Sequence, residues 1–205
     1  MNIIKSLFLS LTVAAFIYSC KSNSEPVQEG SSNAKLTGTF ATTGEVKWEA
    51  KGVGHGHNGT IEISKSEVTF AEGVLVGGMA EVDMKTIRAT DLEGDSVQEH
   101  KLVGHLLNTD FFAVDSFPTA SIKINSVTNN EASADLTMRG ITNPIKFPVT
   151  IVEDSLGFTI TSTFPVDRTL YNIKTGSGKF FDIKKLGDHM IEDIFNLSIK
   201  IQGAK

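Results

Sequence analysis

The stretch ADLTMRGITNPIKFPVTI, residues 134–151, decides the fold. Ala134, Leu136 and Met138 alternate with Asp135, Thr137 and Arg139. Ile145, Phe147, Val149 and Ile151 alternate with Lys146, Pro148 and Thr150. Period two buries one face of each strand and wets the other. Gly140 to Pro144 between them is turn chemistry, so the two strands fold back as a hairpin. An isolated hairpin is marginal in water, so the rest of the chain must close its apolar side.

Working outward, the same alternation recurs. Phe158, Ile160, Ser162, Phe164 and Val166 share one face of a long strand, and Phe195, Leu197, Ile199 and Ile201 share another near the C-terminus. Upstream, Ala120, Ile122 and Ile124 lead into the hairpin. Ala80, Val82 and Met84 share a face, with a bulge expected at Gly77-Gly78. Val46, Trp48 and Ala50 mark a strand over 45–51, and Ile61 and Ile63 another over 60–64. The glycine-rich KGVGHGHNGT between these two leads to a strand rather than a helix, which excludes a dinucleotide fingerprint. Residues 91–110 break the pattern, with Leu102 and Leu106 at helical spacing that predicts a short helix over 97–107, and 167–185 is mixed. The sum is an all-β chain of about eight antiparallel strands with one or two short helices. Closing such a sheet removes its edges, which predicts an up-and-down barrel, with a two-sheet sandwich as the other solution.

The chain has 205 residues, is 40% hydrophobic and 21% charged, and carries a net charge of −5. This is globular composition. The acidity and the lack of a Lys/Arg cluster argue against a nucleic-acid surface. A single Cys excludes an internal disulfide and a Cys-based zinc site.

Residues 1–19 read as a signal peptide: Lys5 precedes a mainly apolar run that is too short to span a bilayer comfortably. Ile17-Tyr18-Ser19-Cys20 resembles a bacterial lipobox, with Tyr18 departing from the small residue usual at its place. Lipidation of Cys20 and a membrane anchor follow from that reading, and a plain signal peptide with an incidental cysteine is the alternative. Residues 20–35 continue as a polar tether, and the folded domain is expected over 36–205.

His55 and His57, two apart, would share a strand face, but nothing in the spacing gathers His100, His105 and His189 around them. No metal site and no cofactor site is expected. There is no Gly-x-Ser-x-Gly elbow, and TGSGK (175–179) lacks the spacing of a phosphate loop. No enzymatic constellation survives.

Several motifs together carry a family resemblance. Trp48 with GHGHNGTIEIS, the segment VDMKTI (82–87), HKLVGHLLNTDFFAVDSFPTASIKI, DLTMRGITNPIKFPVTI and FPVDRTLYNI are similar to the YceI-like family, over about residues 36–202. The resemblance implies a lipocalin-like antiparallel β-barrel of the bacterial envelope, in which some members hold a long isoprenoid or other amphiphile. It makes the apolar side of the strands an interior, lined by Trp48, Val82, Met84, Ile124, Met138, Phe147 and Phe164. His55, His57, Arg168 and Tyr171, near strand ends, are head-group candidates, with ordinary surface or turn structure as the competing reading.

Two functions follow. One is a periplasm-facing or outer-membrane lipoprotein that holds an isoprenoid quinone or polyprenyl-type ligand for sequestration or transport. The other is a structural or stress-related interaction module with a filled barrel, because alternation looks the same for filled and hollow barrels. A homodimer is left open.

Overall fold

The computed structural model describes residues 35–205. These form one compact unit that holds its own core, as an independently folding domain must. The expected signal peptide, Cys20 and most of the tether lie outside the described residues.

The central hairpin is β7 (Glu131–Met138) and β8 (Ile141–Pro148). Ala132, Ala134, Leu136 and Met138 are buried, alternating with more exposed neighbours. The turn is tighter than Gly140–Pro144. Arg139 and Gly140 alone make it, at φ 51° and 71°, and positive φ at both central residues gives the hairpin turn that matches strand twist. Thr142, Asn143 and Pro144 therefore belong to β8, where Pro144 faces Asp135. Proline fits because β8 has a ladder partner on one side only.

The other strands are β1 (Gly38–Ala41), β2 (Thr43–Gly52), β3 (His55–Ala71), β4 (Val74–Asp83), β5 (Arg88–Ala89), β6 (Thr119–Thr128), β9 (Thr150–Glu153), β10 (Gly157–Asp167) and β11 (Ile191–Ala204). They pair in the order β8-β7-β6-β4-β3-β2-β11-β10-β9, all neighbours antiparallel, with β1 and β5 added onto β3. Among the described residues eleven strands replace the expected eight for a simple reason. The short β1 and β5 are additions, and β8 and β9 are one run broken at Pro148-Val149. That run changes partner, pairing with β7 before the break and with β10 after it. It thereby curls the sheet onto itself into a barrel-like wall.

β3 also begins earlier than the alternation predicts. Gly54 takes a positive φ of 74° in a short turn, so His55, Gly56 and His57 already pair with Gly52, Lys51 and Ala50. A bulge lies one residue before the expected Gly77-Gly78: the β3–β4 register slips between Thr69/Gly77 and Phe70/Leu75, which leaves Val76 as the extra residue. Helix α1 (Ser96–Leu107) is capped by Asp95, whose side chain accepts from the Gln98 N–H. Helix α2 (Ile183–Leu186) is a single turn.

Candidate functional site

Two apolar clusters fill the two ends of the barrel. At one end Phe70 and Phe158 meet edge to face, 5.0 Å between centroids, and Phe40 stands against both at 6.0 and 5.6 Å. Leu36, Leu75, Ile160 and Ile201 complete this plug. The other cluster is larger and is roofed by α1 and the segment after it, through Leu106, Phe111 and Val114.

A cavity of about 100 Å³ lies inside the second cluster. Its wall comes from the inward faces of the strands, Trp48, Val82, Leu136, Met138 and Phe164, with Phe195, Leu197 and Ile199 from β11, and from Met84 in the 3-10 turn that follows β4. Leu106 of α1 and the ring pair Phe111 and Phe112 close it from above. Only Ser121, Glu192 and Arg168 bring polar atoms to an otherwise apolar lining. A surface like this offers burial and almost no directional chemistry, so what it can do is take apolar carbon out of water.

Of the residues expected to line the interior, Trp48, Val82, Met84, Met138 and Phe164 do so. Phe147 and Ile124 do not. The Phe147 ring stacks on Phe164 at 4.5 Å and 20°, filling the seam where β8 and β10 run side by side without a ladder. Ile124 sits between the two clusters and packs against both.

Trp48 is held in place by local sequence. Its indole N–H donates to the Arg88 carbonyl at 3.2 Å. Opposite it in the ladder is Gly59, where a Cβ would meet both the Arg88 carbonyl and, at 2.8 Å, the indole itself. Gly59 is thus the residue that lets β5 and the Trp48 ring approach β3.

Arg168 is 2% exposed. Its guanidinium donates to the carbonyls of Glu192 (3.0 Å), Ile173 (2.9 Å) and Ile191 (2.9 Å), and it lies 3.5 Å from Asp193 Oδ1. Burial pushes its pKa down, against the pull of Asp193 and Asp167. It reaches the cavity edge, 5.9 Å from the Phe111 ring centroid, but most of its donors are committed to the backbone. Its main work is to tie the 168–173 turn to the start of β11. Tyr171 is 1% exposed and does not face the cavity. Its pKa is pushed up to about 12, chiefly by burial. The neighbouring Asn143 amide donates to the Leu170 carbonyl instead, and the Tyr171 hydroxyl has no hydrogen-bond partner among the described residues.

His55 and His57 lie apart from the cavity, in a polar-rimmed cleft of about 480 Å³ at its mouth. Their rings are 5.8 Å apart. His57 Nδ1 meets Asp91 Oδ2 at 2.8 Å, and His55 Nδ1 meets the Val53 carbonyl at 2.9 Å. Burial works to raise the Asp91 carboxyl, but the Asn58 N–H and His57 outweigh it and hold it below the usual range. His105, His189 and Asp188 line the same cleft. Among the described residues no group of three or more His, Cys, Asp or Glu is placed to hold a metal ion. Trp48, Ala50, Leu106, Phe111 and Ile191 border both the cleft and the cavity, which makes the cleft a vestibule.

Sequence reasoning missed Arg139. From its left-handed turn position it donates to the carbonyls of Phe111 (2.7 Å), Asn172 (2.9 Å) and Thr109 (3.2 Å), clamping two mouth segments together. It also missed the lining role of Leu197 and Ile199, which share a strand face with Phe195. Their alternation is the same signal that points to Met84 and Met138.

Among solved structures, BcnA of Burkholderia cenocepacia is similar, with a TM-score of 0.62 and 15% identity over 78% of this chain and 96% of that one. So is a polyisoprenoid binding domain from Saccharophagus degradans implicated in plant cell wall breakdown, with a TM-score of 0.57 and 8% identity over 83% of this chain and all of that one. At these identities the likeness is one of fold. Comparison with curated protein sequences finds no match. The sequence profile of the YceI-like domain matches residues 20–203, nearly the whole chain, and the chain belongs to the YceI-like family.

Proposed function

We propose that the barrel binds a long apolar chain of isoprenoid type and does not transform it. The observation that carries this reading is the apolar cavity inside the larger cluster, roofed by Leu106, Phe111 and Phe112. A barrel packed by its own side chains to ordinary interior density leaves few voids larger than a water molecule. The similar Saccharophagus degradans domain is described as polyisoprenoid binding, which points to the same class of ligand.

Burial supplies the affinity: each methylene moved out of water contributes ~0.8 kcal/mol. The cavity holds about 100 Å³, below the ~300–1,000 Å³ of ordinary ligand pockets. A long chain therefore parts the lining as it enters. The wall suits this, because Met84 and Met138 are unbranched and re-pack readily. Over the length of β8 the seam with β10 carries the Phe147–Phe164 stack and a hydrogen bond from Ser162 Oγ to the Pro148 carbonyl, so it separates without loss of a ladder.

With lipid on Cys20, the same barrel would be a carrier held at the bacterial envelope, sequestering or moving its ligand between membranes. The test is mass spectrometry of an organic extract of the purified protein. An isoprenoid recovered in near-equal amount to protein is expected. A clean extract, from protein that also retains no added apolar probe, would overturn the reading.

A further inference from the structure

We infer that residues 174–186, the loop beside the cavity mouth, dock the barrel onto an anionic lipid bilayer. Phe180, Phe181 and Ile183 stand 44%, 53% and 59% exposed. Three large apolar side chains this close together on a surface mark an interaction site. Around them are Lys174, Lys179, Lys184 and Lys185, opposed within the loop only by Asp182, in a chain whose net charge is −5. Basic residues flanking exposed aromatics are the chemistry of a segment lying in the headgroup region of an anionic leaflet. The lysines are gathered on the aromatic: Lys174 Nζ lies 4.8 Å and Lys179 Nζ 5.8 Å from the Phe180 ring centroid.

The exposure is built in rather than a frayed end. Ser177 is fully buried, and its carbonyl accepts from the N–H groups of both Phe180 (3.1 Å) and Phe181 (3.0 Å). Its hydroxyl accepts from the Lys179 N–H at 3.2 Å. Gly176, at φ 68°, packs where a Cβ would meet the His189 carbonyl at 2.7 Å. Asp182 accepts from the Lys184 N–H and starts α2. The backbone is thus fixed so that the aromatic pair points into solvent, an arrangement that costs solubility unless something covers it.

Position supplies the purpose. Thr175, Gly176 and Leu186 of this loop line the vestibule whose inner wall is shared with the apolar cavity. Seated on a bilayer through Phe180 and Phe181, the protein holds its vestibule at the lipid surface. An apolar chain then passes between membrane and barrel without crossing water. The passage of a chain rests on the binding reading above, while the docking itself does not.

The experiment uses residues 35–205, the self-contained barrel, so that no lipid on Cys20 contributes. Co-sedimentation is measured with vesicles of phosphatidylcholine and phosphatidylglycerol mixed two to one, and with vesicles of phosphatidylcholine alone. Binding to the mixed vesicles is expected, lost at high salt and much weaker without the anionic lipid. Lys179→Gln/Lys184→Gln/Lys185→Gln is expected to lower the partition coefficient about a hundredfold or more. Phe180→Ser/Phe181→Ser is expected to lower it at least tenfold, with melting temperatures unchanged in both variants. Retention of an isoprenoid alcohol supplied from solution should be unaffected, which separates this inference from the binding reading. Absence of vesicle binding, or binding that survives both sets of substitutions, would overturn it. So would loss of self-association in the Phe variant with vesicle binding intact, since the patch would then be a dimer contact.

Discussion

The two ends of the barrel use the same residue types to opposite effect. At the plugged end, Phe40, Phe70 and Phe158 meet edge to face with 5.0–6.0 Å between centroids and leave no room. At the mouth, Phe111 and Phe112 also meet edge to face at 5.0 Å, but beneath them is a cavity. The difference lies in what holds the rings. The plug rings sit on laddered strands, with β1 paired to β3 and β10 paired to β11. The mouth rings sit on a segment between α1 and β6 that joins no ladder; turn hydrogen bonds back to the end of α1 hold it, and Arg139 ties its Phe111 and Thr109 carbonyls to that of Asn172. Apolar content therefore does not decide which end is closed. Backbone pairing does, and the loosely paired end is the one available for function.

The largest expected effect is at the plug. Phe158→Ala should cost about 3–5 kcal/mol, because laddered strands cannot collapse into the space left. Phe111→Ala, next to an existing cavity and on a segment outside the strand ladders, should cost about 3 kcal/mol, at the low end for a buried aromatic. It should also speed ligand release, which the plug variant should not. Urea denaturation gives the first pair of numbers and stopped-flow displacement of a bound probe the second. Equal costs at both positions would erase the distinction between the ends.

Ala80 faces the cavity from β4. In a filled core Ala80→Leu would cost about 1–3 kcal/mol through overpacking. Facing empty space, it should cost less than about 1 kcal/mol in protein stripped of ligand while weakening apolar-ligand binding severalfold. Paired stability and binding measurements check this.

The smallest effect at neutral pH concerns Tyr171. Its hydroxyl is buried and without a hydrogen-bond partner among the described residues, so Tyr171→Phe should change stability by no more than about 1 kcal/mol, in either direction. The alkaline limb is where the variant differs. The folded pKa is raised to about 12, whereas an unfolded tyrosine ionises near ~10. The stability tied to the neutral phenol is complete below ~pH 10 and is lost as pH rises toward 12. Tyr171→Phe should remove that part of the alkaline decline, read from urea midpoints across the range.

Much of the fold was legible because period two is a strong signal. The hairpin faces and the antiparallel barrel class follow from it, and the helix near 97–107 from the helical spacing that interrupts it. Turn lengths were not legible, because Arg139 at positive φ is set by strand twist and not by residue type. Nor was the early start of β3, where His55-Gly56-His57 looks like loop composition yet pairs across a short turn. The site was half legible. Alternation points Trp48, Met84 and Met138 inward, but it points Phe147 inward in the same way. Only the unpaired seam between β8 and β10 explains why that ring stacks on Phe164 instead of lining the cavity. Arg168 and Tyr171 are near strand ends as expected, yet their chemistry is spent on backbone carbonyls and burial. The alternation pattern carries no information about which polar group a side chain will reach.

Trp48 is the single tryptophan of the chain and forms part of the cavity wall. Its fluorescence therefore reports directly on the space at issue. Titrating ligand-stripped protein with geranylgeraniol should give a saturable, one-to-one change in Trp48 emission, with a rise in melting temperature that grows with ligand concentration. Emission and melting temperature that both stay unchanged up to the solubility limit of the alcohol would contradict a ligand-binding barrel.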